Sequence, residues 1–498
     1  MSWRSLAWRA LLALGLGAGS VFGFAPFSFY LLPVLTLAGW FWLVRDLAPR
    51  ESACLGGLFG WGYFGVGIGW LYISLSHYGG MPVGLALLAV GVFAGYLALF
   101  PALAGWVAAR VSSRPLVRLW VLPAALALTD WLRGWVFSGF PWLSAGYSQA
   151  PDGWLAGYFP LLGVYGVTLL TALLAAGLAS LWLPALRQPQ RISVIAMMLL
   201  TAAGGVMLGR VNWTHPTGGE VSVALLQGNV PQDRKWQESS LIDTLDRYRR
   251  LVLSARQQLI VLPETALPLF LSDIPAGYLE QLRAHALSVG GDVLLGVPAL
   301  AAGGQQYHNT VTSMGVSGGQ SYRKIHLVPF GEFIPFKSLL GTVYQSLNIP
   351  LTDFAAGSLQ QPLLEVAGQQ VLVNICYEDV FGEELAGRAR TATLLLNVTN
   401  DAWYDRSPAA MQHLQTAQAR SLELGRYMLR ATNTGMTAII DHRGHLQRLA
   451  PWFTEMALTG TAKGFTGITP YMRWGNGPAV MVMVLMLAIG WRISRSAA

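Results

Sequence analysis

Three side chains have the types and settings that acyl chemistry needs. Glu264 stands in Val261-Leu-Pro-Glu-Thr-Ala266, Lys324 in Tyr322-Arg-Lys-Ile-His326 and Cys376 in Val373-Asn-Ile-Cys-Tyr-Glu-Asp379. Each closes or follows a short β-rich run, and strand ends are where an α/β sheet places its reactive groups. Acyl transfer requires a nucleophile, a base to take its proton and an electrophilic group for the developing oxyanion. Cys376 precedes a predicted helix from Asp379 to about Arg388, so the helix N-terminus and a nearby ammonium can favour its thiolate. Glu264 can act as base toward the thiol and then toward an attacking amine. Lys324, one of four lysines in the chain, can hold the oxyanion together with a backbone N–H near Cys376 or Tyr377. Singly, each residue also has an ordinary reading: a core cysteine, a solvated glutamate, a lysine lying along the surface.

Other chemistries leave no comparable trace. The sequence contains neither His-Glu-x-x-His nor paired Cys-x-x-Cys, and His442 and His445 flank Gly444 as turn residues. It has no Walker loop, and no metal or cofactor is expected. Cys54 and Cys376 are too few for a disulfide framework, so both are expected to be free. A lone thiol facing an oxidising compartment is a liability unless it has work to do.

The elements that must carry these residues alternate in type. Strands are predicted at Val221–Leu226, Leu259–Leu262, about 292–298, 308–314, 320–326, 370–375 and 393–398. Helices are predicted at about 239–258, 277–288 and 408–430, with a hairpin around Asp441-His-Arg-Gly444. Such alternation indicates an α/β domain.

That domain is flanked by a different kind of chain. Of 498 residues, 53% are hydrophobic and 12% charged, whereas about a quarter are charged in an ordinary soluble protein. Only four of the 25 acidic residues, Asp46, Glu51, Asp130 and Asp152, lie outside 211–472. The expected organisation is an apolar region 1–210, a polar domain 211–472 and an apolar tail 473–498. Seven segments before the polar domain, about 7–24, 27–44, 53–74, 82–108, 116–136, 158–183 and 192–209, and one after it, about 477–491, approach the length of about 20 residues that spans a bilayer. Glycines such as those in Gly15-Leu-Gly-Ala-Gly19 let such helices pack closely. Trp131, Trp135, Trp142 and Trp154 are expected in an aromatic belt, and Asp130 and Arg133 can pair near the membrane boundary.

Eleven arginines, from Arg4 and Arg9 to Arg492 and Arg495, fall on one side of this topology, and Arg133, Arg210 and Arg473 on the other. The positive-inside rule then puts both termini in the cytoplasm and the polar domain outside it. These arginines account for most of the net charge of +8, and anionic lipid is their natural neighbour. No nucleic-acid partner is needed.

Taken together and in this order, the residues resemble the nitrilase superfamily of carbon-nitrogen hydrolases over about 220–465. The run Lys-x-x-Leu-Val-Pro-Phe-Gly-Glu from Lys324 to Glu332 and Cys-Tyr-Glu at 376–378 make the resemblance specific. With the apolar helices around that domain, the whole chain looks like the apolipoprotein N-acyltransferase family. The resemblance implies a polytopic α-helical membrane bundle of eight transmembrane helices plus an α/β nitrilase-like αββα sandwich bearing the triad Glu264, Lys324 and Cys376.

It makes Glu332 a second carboxylate that positions Lys324 or the incoming amine, a loop salt bridge being the alternative. Tyr377, Glu378 and Trp236 become supporting residues, although Glu378 can equally start the helix and Trp236 can simply pack. Phe330, Phe333, Phe336, Phe354, Trp403 and Tyr404 are the aromatic candidates for contact with lipid or substrate; core packing is the alternative for each. The implied partners are a phospholipid acyl donor, typically the sn-1 ester of phosphatidylethanolamine, and the α-amine of a lipoprotein's S-diacylglyceryl-cysteine. The implied setting is a monomer in the bacterial inner membrane, its catalytic domain periplasmic. A membrane-tethered amidase or nitrile hydrolase would use the same triad with water as second nucleophile; a transporter or scaffold would not need Cys376.

Overall fold

Along the strands of the polar region every second residue is turned to the same side, as the pleat demands. Val221, Val223 and Leu225 enter one apolar cluster, and Ala224 and Leu226 enter another. The computed structural model describes residues 3–301, 303–304, 306–334 and 354–496. The strands in chain order are β1 (His215–Gln227), β2 (Leu259–Val261), β3 (Asp292–Leu300), β4 (Tyr307–Gly315), β5 (Ser321–Arg323), β6 (Leu364–Val366), β7 (Gln369–Ile375), β8 (Leu394–Thr399), β9 (Tyr427–Thr432), β10 (Ala438–Ile440), β11 (Leu446–Leu449) and β12 (Met456–Thr466).

They form two six-stranded sheets, ordered β12-β1-β2-β3-β4-β5 and β11-β10-β9-β8-β7-β6. In each, three central strands are parallel, β1 to β3 in one and β7 to β9 in the other, and the outer pairings are antiparallel. Val373, Ile375, Leu396 and Val398 meet Val223, Leu225 and Val261 between the sheets. Helices Glu238–Ser254 and Ala276–Ser288 cover the outer face of the first sheet with Tyr248, Val252, Leu282 and Ala286. Helices Gly382–Arg388 and Ala409–Leu424 cover the second with Leu385, Leu414, Ala417 and Leu424. The layers are therefore helix, sheet, sheet, helix.

One sequence expectation overran. The helix expected over about 408–430 stops at Leu424, because the chain turns left-handed at Gly425 (φ +55°) and continues as β9.

Trp213–Met472 and Ile73–Met81 form one compact unit. The other unit holds the remaining chain, with helices at Trp3–Ser20, Leu32–Val44, Pro49–Gly67, Val83–Val111, Pro115–Arg133, Phe159–Ser180, Gln188–Leu208 and Gly477–Arg495. Five helices among the described residues are long and apolar enough to cross a membrane; Pro49–Gly67 joined to Leu71–Tyr78 across a 58° bend makes a sixth. Trp3–Ser20 and Leu32–Val44 supply only shorter apolar stretches. The segment expected at 27–44 becomes helical only from Leu32, because Ser28 is left-handed (φ +55°) and Pro26 lacks an N–H.

Within this unit Gly17 carries the close packing anticipated for its glycine run: a Cβ there would sit 1.9 Å from Phe59 O, whereas Gly15 has open space. Asp130 and Arg133 do pair, and Arg133 also donates to the carbonyls of Phe140 and Trp142. Trp142 is buried and tilted against Trp70, which corrects its assignment to an aromatic belt; Trp135 and Trp154 are exposed. Cys54 and Cys376 are both free.

Candidate active site

After β2 the chain passes through Leu262 and Pro263 to Glu264, lying tightly on β3. Leu262 and Ala266 donate their N–H groups to the carbonyls of Leu294 and Gly296, each at 2.9 Å. A Cβ on Gly296 would lie 2.1 Å from Pro263 O, so this approach needs a glycine. It delivers a buried Glu264 carboxylate whose Oε1 accepts from Asn309 Nδ2 at 2.7 Å and whose Oε2 accepts from the Asn400 N–H at 2.9 Å.

Lys324 follows β5 and prolongs its ladder, donating its N–H to Asn309 O at 2.8 Å. Its ammonium, 1% exposed, is 2.8 Å from Glu332 and 3.7 Å from Glu264. Burial pulls its pKa down, but Glu332 and Glu264 more than reverse this and hold it above the usual lysine range. Glu332 also accepts from the Val328 N–H at 2.8 Å and from Asn309 Nδ2 at 3.2 Å. The Asn309 amide thus bridges the two acids on either side of the lysine.

Cys376 follows β7 in a left-handed conformation (φ +53°) and opens a 3-10 turn, Cys376–Val380. Burial and Glu264 push its thiol pKa well above the usual value, with Lys324 opposing and Thr399 hydrogen-bonding the sulfur. The expectation of a helix-favoured thiolate is therefore corrected. The α-helix starts only at Gly382, and burial together with the neighbouring carboxylate outweighs the ammonium, so these surroundings favour the thiol.

Residues 222–463 match the carbon-nitrogen hydrolase family, and residues 16–178 match the apolipoprotein N-acyltransferase N-terminal domain. The chain is 49% identical over 490 residues to an apolipoprotein N-acyltransferase of Nitrosomonas europaea, covering 97% of each. It is 46% identical over 489 residues to that of Chromobacterium violaceum, covering 97% of this chain and 94% of the relative. It is also 46% identical over 476 residues to that of Methylococcus capsulatus, covering 94% and 93%. The chain belongs to the apolipoprotein N-acyltransferase family. It is an N-acyltransferase.

In this N-acyltransferase the remaining sequence-predicted residues take distinct places. Glu378 is buried, and its carboxylate accepts from Tyr322 Oη at 2.9 Å and from the N–H groups of Ile325 (2.6 Å), His326 (3.1 Å) and Ile375 (2.6 Å). It joins the segment after Lys324 to the strand end before Cys376. Tyr377 is buried edge-on against Phe381 at 5.1 Å, and Phe381 stacks on His326 at 3.6 Å. Tyr404 lies near Cys376 and Asp401: burial and these two groups push its phenol pKa up. Trp403 is half-buried and meets Tyr78 edge-on at 6.0 Å. Phe330 is 48% exposed. Phe354 is 8% exposed and edge-on to Tyr307 at 4.6 Å, as the packing alternative for it expects. Phe333 is half-buried, its carbonyl accepting from the Phe330 N–H, and Phe336 lies outside the described residues.

Trp236 is half-buried, and its neighbour Lys235 is the side chain that reaches the centre. Lys235 Nζ donates to Thr265 Oγ1 at 2.7 Å and to Glu264 O at 3.3 Å. Burial lowers its pKa to about 8 against the pull of Glu264 and Cys376. The scarcity of lysine was the available sequence signal. Asn309, likewise missed, stands inside a strand, where asparagine is disfavoured unless it has a task.

Proposed function

We propose that Glu264, Lys324 and Cys376 are the catalytic triad of a two-step transfer from phospholipid to lipoprotein. The observation that carries this reading is the buried Lys324 ammonium fixed between Glu264 and Glu332, with Lys324 and Glu264 both acting on the Cys376 thiol. In the first step the sulfur attacks the sn-1 ester carbonyl of a phospholipid such as phosphatidylethanolamine, and its proton passes to Glu264. Lys324 and a backbone N–H at Cys376 or Tyr377 hold the oxyanion. Collapse expels the lysophospholipid alkoxide, which takes the proton from Glu264 and leaves an acyl-thioester on Cys376.

In the second step the α-amine of an S-diacylglyceryl-cysteine attacks the thioester. Glu264 takes the amine proton and returns it to the departing thiolate, so the product is an amide and the enzyme is restored. Glu332 keeps Lys324 oriented, and Glu378, Tyr377 and Trp236 support the pocket. Phe330, Trp403 and Tyr404 contact the lipid substrates and exclude water, which would otherwise hydrolyse the thioester.

Because both substrates are anchored in one bilayer, the enzyme works there. We read all eight apolar helices as spans, with 1–210 and 473–498 in the inner membrane, both termini cytoplasmic and 211–472 periplasmic. The arginine asymmetry supports this orientation. Intact mass spectrometry of the purified enzyme with phosphatidylethanolamine tests the scheme. An acyl adduct on Cys376 that disappears on adding a diacylglyceryl peptide is expected; no adduct under turnover conditions overturns it.

A further inference from the structure

Four charged side chains close a ring beside Cys376. Asp379 leaves the nucleophile turn, Asp401 follows β8, Arg430 stands on β9, and His413 comes from the helix Ala409–Leu424. Each carboxylate receives one bond from each cation. His413 Nε2 and Nδ1 lie 2.9 Å from Asp379 Oδ1 and Asp401 Oδ1 respectively. Arg430 Nη1 and Nη2 lie 3.3 Å and 2.8 Å from Asp379 Oδ2 and Asp401 Oδ2. None of the four is more than 3% exposed.

The ring reaches the nucleophile by three routes. His413 Nε2 is 3.2 Å from Cys376 O. Asn397, whose Oδ1 accepts from Arg430 at 2.6 Å, donates Nδ2 to the same carbonyl at 3.2 Å. The Thr399 hydroxyl, 3.3 Å from Asp401 Oδ1, is shared between that carboxylate and the Cys376 sulfur. A balanced set of buried charges is weak evidence for stability, since apolar residues of similar volume commonly serve a core as well or better. Fixed geometry is what such a ring supplies, and it is supplied to the carbonyl and sulfur of a residue in a left-handed conformation that costs free energy to hold.

We propose that the Asp379–His413–Asp401–Arg430 ring is a positioning device for the nucleophile, holding the Cys376 carbonyl and the Thr399 hydroxyl so that the sulfur stays aimed at Glu264 and Lys324 through each acylation and deacylation. The inference rests on the triad reading for what the sulfur does.

The test uses the full-length enzyme in detergent and four variants: His413→Gln, Asp401→Asn, Arg430→Lys and the control Glu423→Gln. Glu423 forms an equally buried ion pair with Arg420, at 3.0 Å on the same helix, outside the ring. Three quantities are read well below the melting temperature of each protein: the phospholipid KM and kcat of thioester formation, the alkylation rate of Cys376 by iodoacetamide from peptide mapping, and the melting temperature itself. A misaimed sulfur loses both its base and its oxyanion partner, and small misplacements of this kind cost about 100-fold in rate.

His413→Gln and Asp401→Asn are expected to lower kcat by about that factor at unchanged KM, and to slow alkylation. Arg430→Lys, which keeps a cation for one carboxylate, recovers part of the loss. Glu423→Gln lowers the melting temperature and leaves kcat unchanged. Ring variants that melt early yet acylate at the wild-type rate, or alkylate as fast as wild type or faster, overturn the proposal. If the wild type forms no adduct on Cys376, the triad reading fails, and the alkylation rates alone decide the ring. If His413→Gln does not fold, Asp401→Asn and Arg430→Lys carry the same comparison.

Discussion

Replacing Glu332 by glutamine keeps the shape of the side chain and removes one negative charge from beside a lysine that has almost no contact with solvent. In the native enzyme Lys324 Nζ lies 2.8 Å from Glu332 and 3.7 Å from Glu264. At an effective dielectric of about 20, the closer pair contributes about 6 kcal/mol of attraction and the farther about 4 kcal/mol. Glutamine retains a carbonyl that still accepts from the ammonium, a bond worth about 1.5–3 kcal/mol, so the net destabilisation expected is about 3 kcal/mol.

The larger effect is on the base. With its nearer partner gone, the ammonium closes on Glu264 and pins the carboxylate that receives the Cys376 proton in the proposed scheme. Thioester formation then loses both the free base and the placed oxyanion donor, and a donor of this kind accounts for about 10²–10³ in rate. Quenched intact mass spectrometry of the enzyme with phosphatidylethanolamine measures that rate, and thermal unfolding in parallel separates it from loss of fold. A Glu332→Gln enzyme that remains folded and acylates Cys376 within about threefold of wild type, well short of the loss such a donor carries, would refute the assignment of Glu332 as the residue that holds Lys324 in place.

The charge ring predicts a pH dependence of stability. Burial and Arg430 lower the His413 pKa, while Asp379 and Asp401 more than reverse this and raise it from 6.5 to about 9. A raised folded pKa gives stability that is complete below about pH 6.5 and is lost as the pH rises through 9, about 3 kcal/mol in all. Lys235, lowered from 10.5 to about 8, contributes with the opposite slope above pH 8, so the window to measure is pH 6.5–8. There the melting temperature falls with pH in the wild type, and the fall is absent in His413→Gln. Gly296→Ala places a methyl 2.1 Å from Pro263 O; Glu264 is displaced, and thioester formation falls at least about tenfold with little change in circular dichroism, as misplacement of a catalytic group requires. Glu378→Gln replaces one carboxylate oxygen with a donor, facing either the Ile375 N–H or those of Ile325 and His326, at about 1–3 kcal/mol for each group left unsatisfied, and limited proteolysis between β5 and Glu332 is expected to accelerate.

What the sequence disclosed followed from periodicity and from local strings. Val221, Val223 and Leu225, like Val371, Val373 and Ile375, alternate in a way that both identifies strands and names the face between the sheets. Glu264, Lys324 and Cys376 were legible because each ends or follows such a run within a short, unusual string. The ring was not, because Asp379, Asp401, His413 and Arg430 come from four places in the chain, and no single one of them looks different from a surface charge. Arg430 lay at the end of an expected helix; in β9 it pairs in register with Asn397 of β8 and so comes to rest among buried carboxylates. Lys235 lies in a polar string beside Trp236, and only the fold turns the lysine inward. The break before Leu32 was hidden because hydropathy reports composition and is blind to the left-handed turn at Ser28.

The charges around the sulfur also constrain how the enzyme can work. Cys376 feels Glu264 and Asp401 on the negative side and Lys324 and Lys235 on the positive side, and with burial added the balance raises its pKa. In the proposed scheme the thiolate is therefore not stored. It arises when a carbonyl carbon is in place to receive it, and Glu264 is the acceptor assigned to the proton at that moment. The same arrangement serves the second step, where an ammonium would be inert and the amine must lose a proton during attack. In that scheme a cysteine kept as a standing thiolate by nearby cations would react earlier, but it would leave the carboxylate without a proton to pass to the proposed lysophospholipid leaving group, whose expulsion would be slower. The raised thiol pKa and the nearby carboxylate are thus two parts of one requirement, that a single proton be taken up and returned within each half of the cycle.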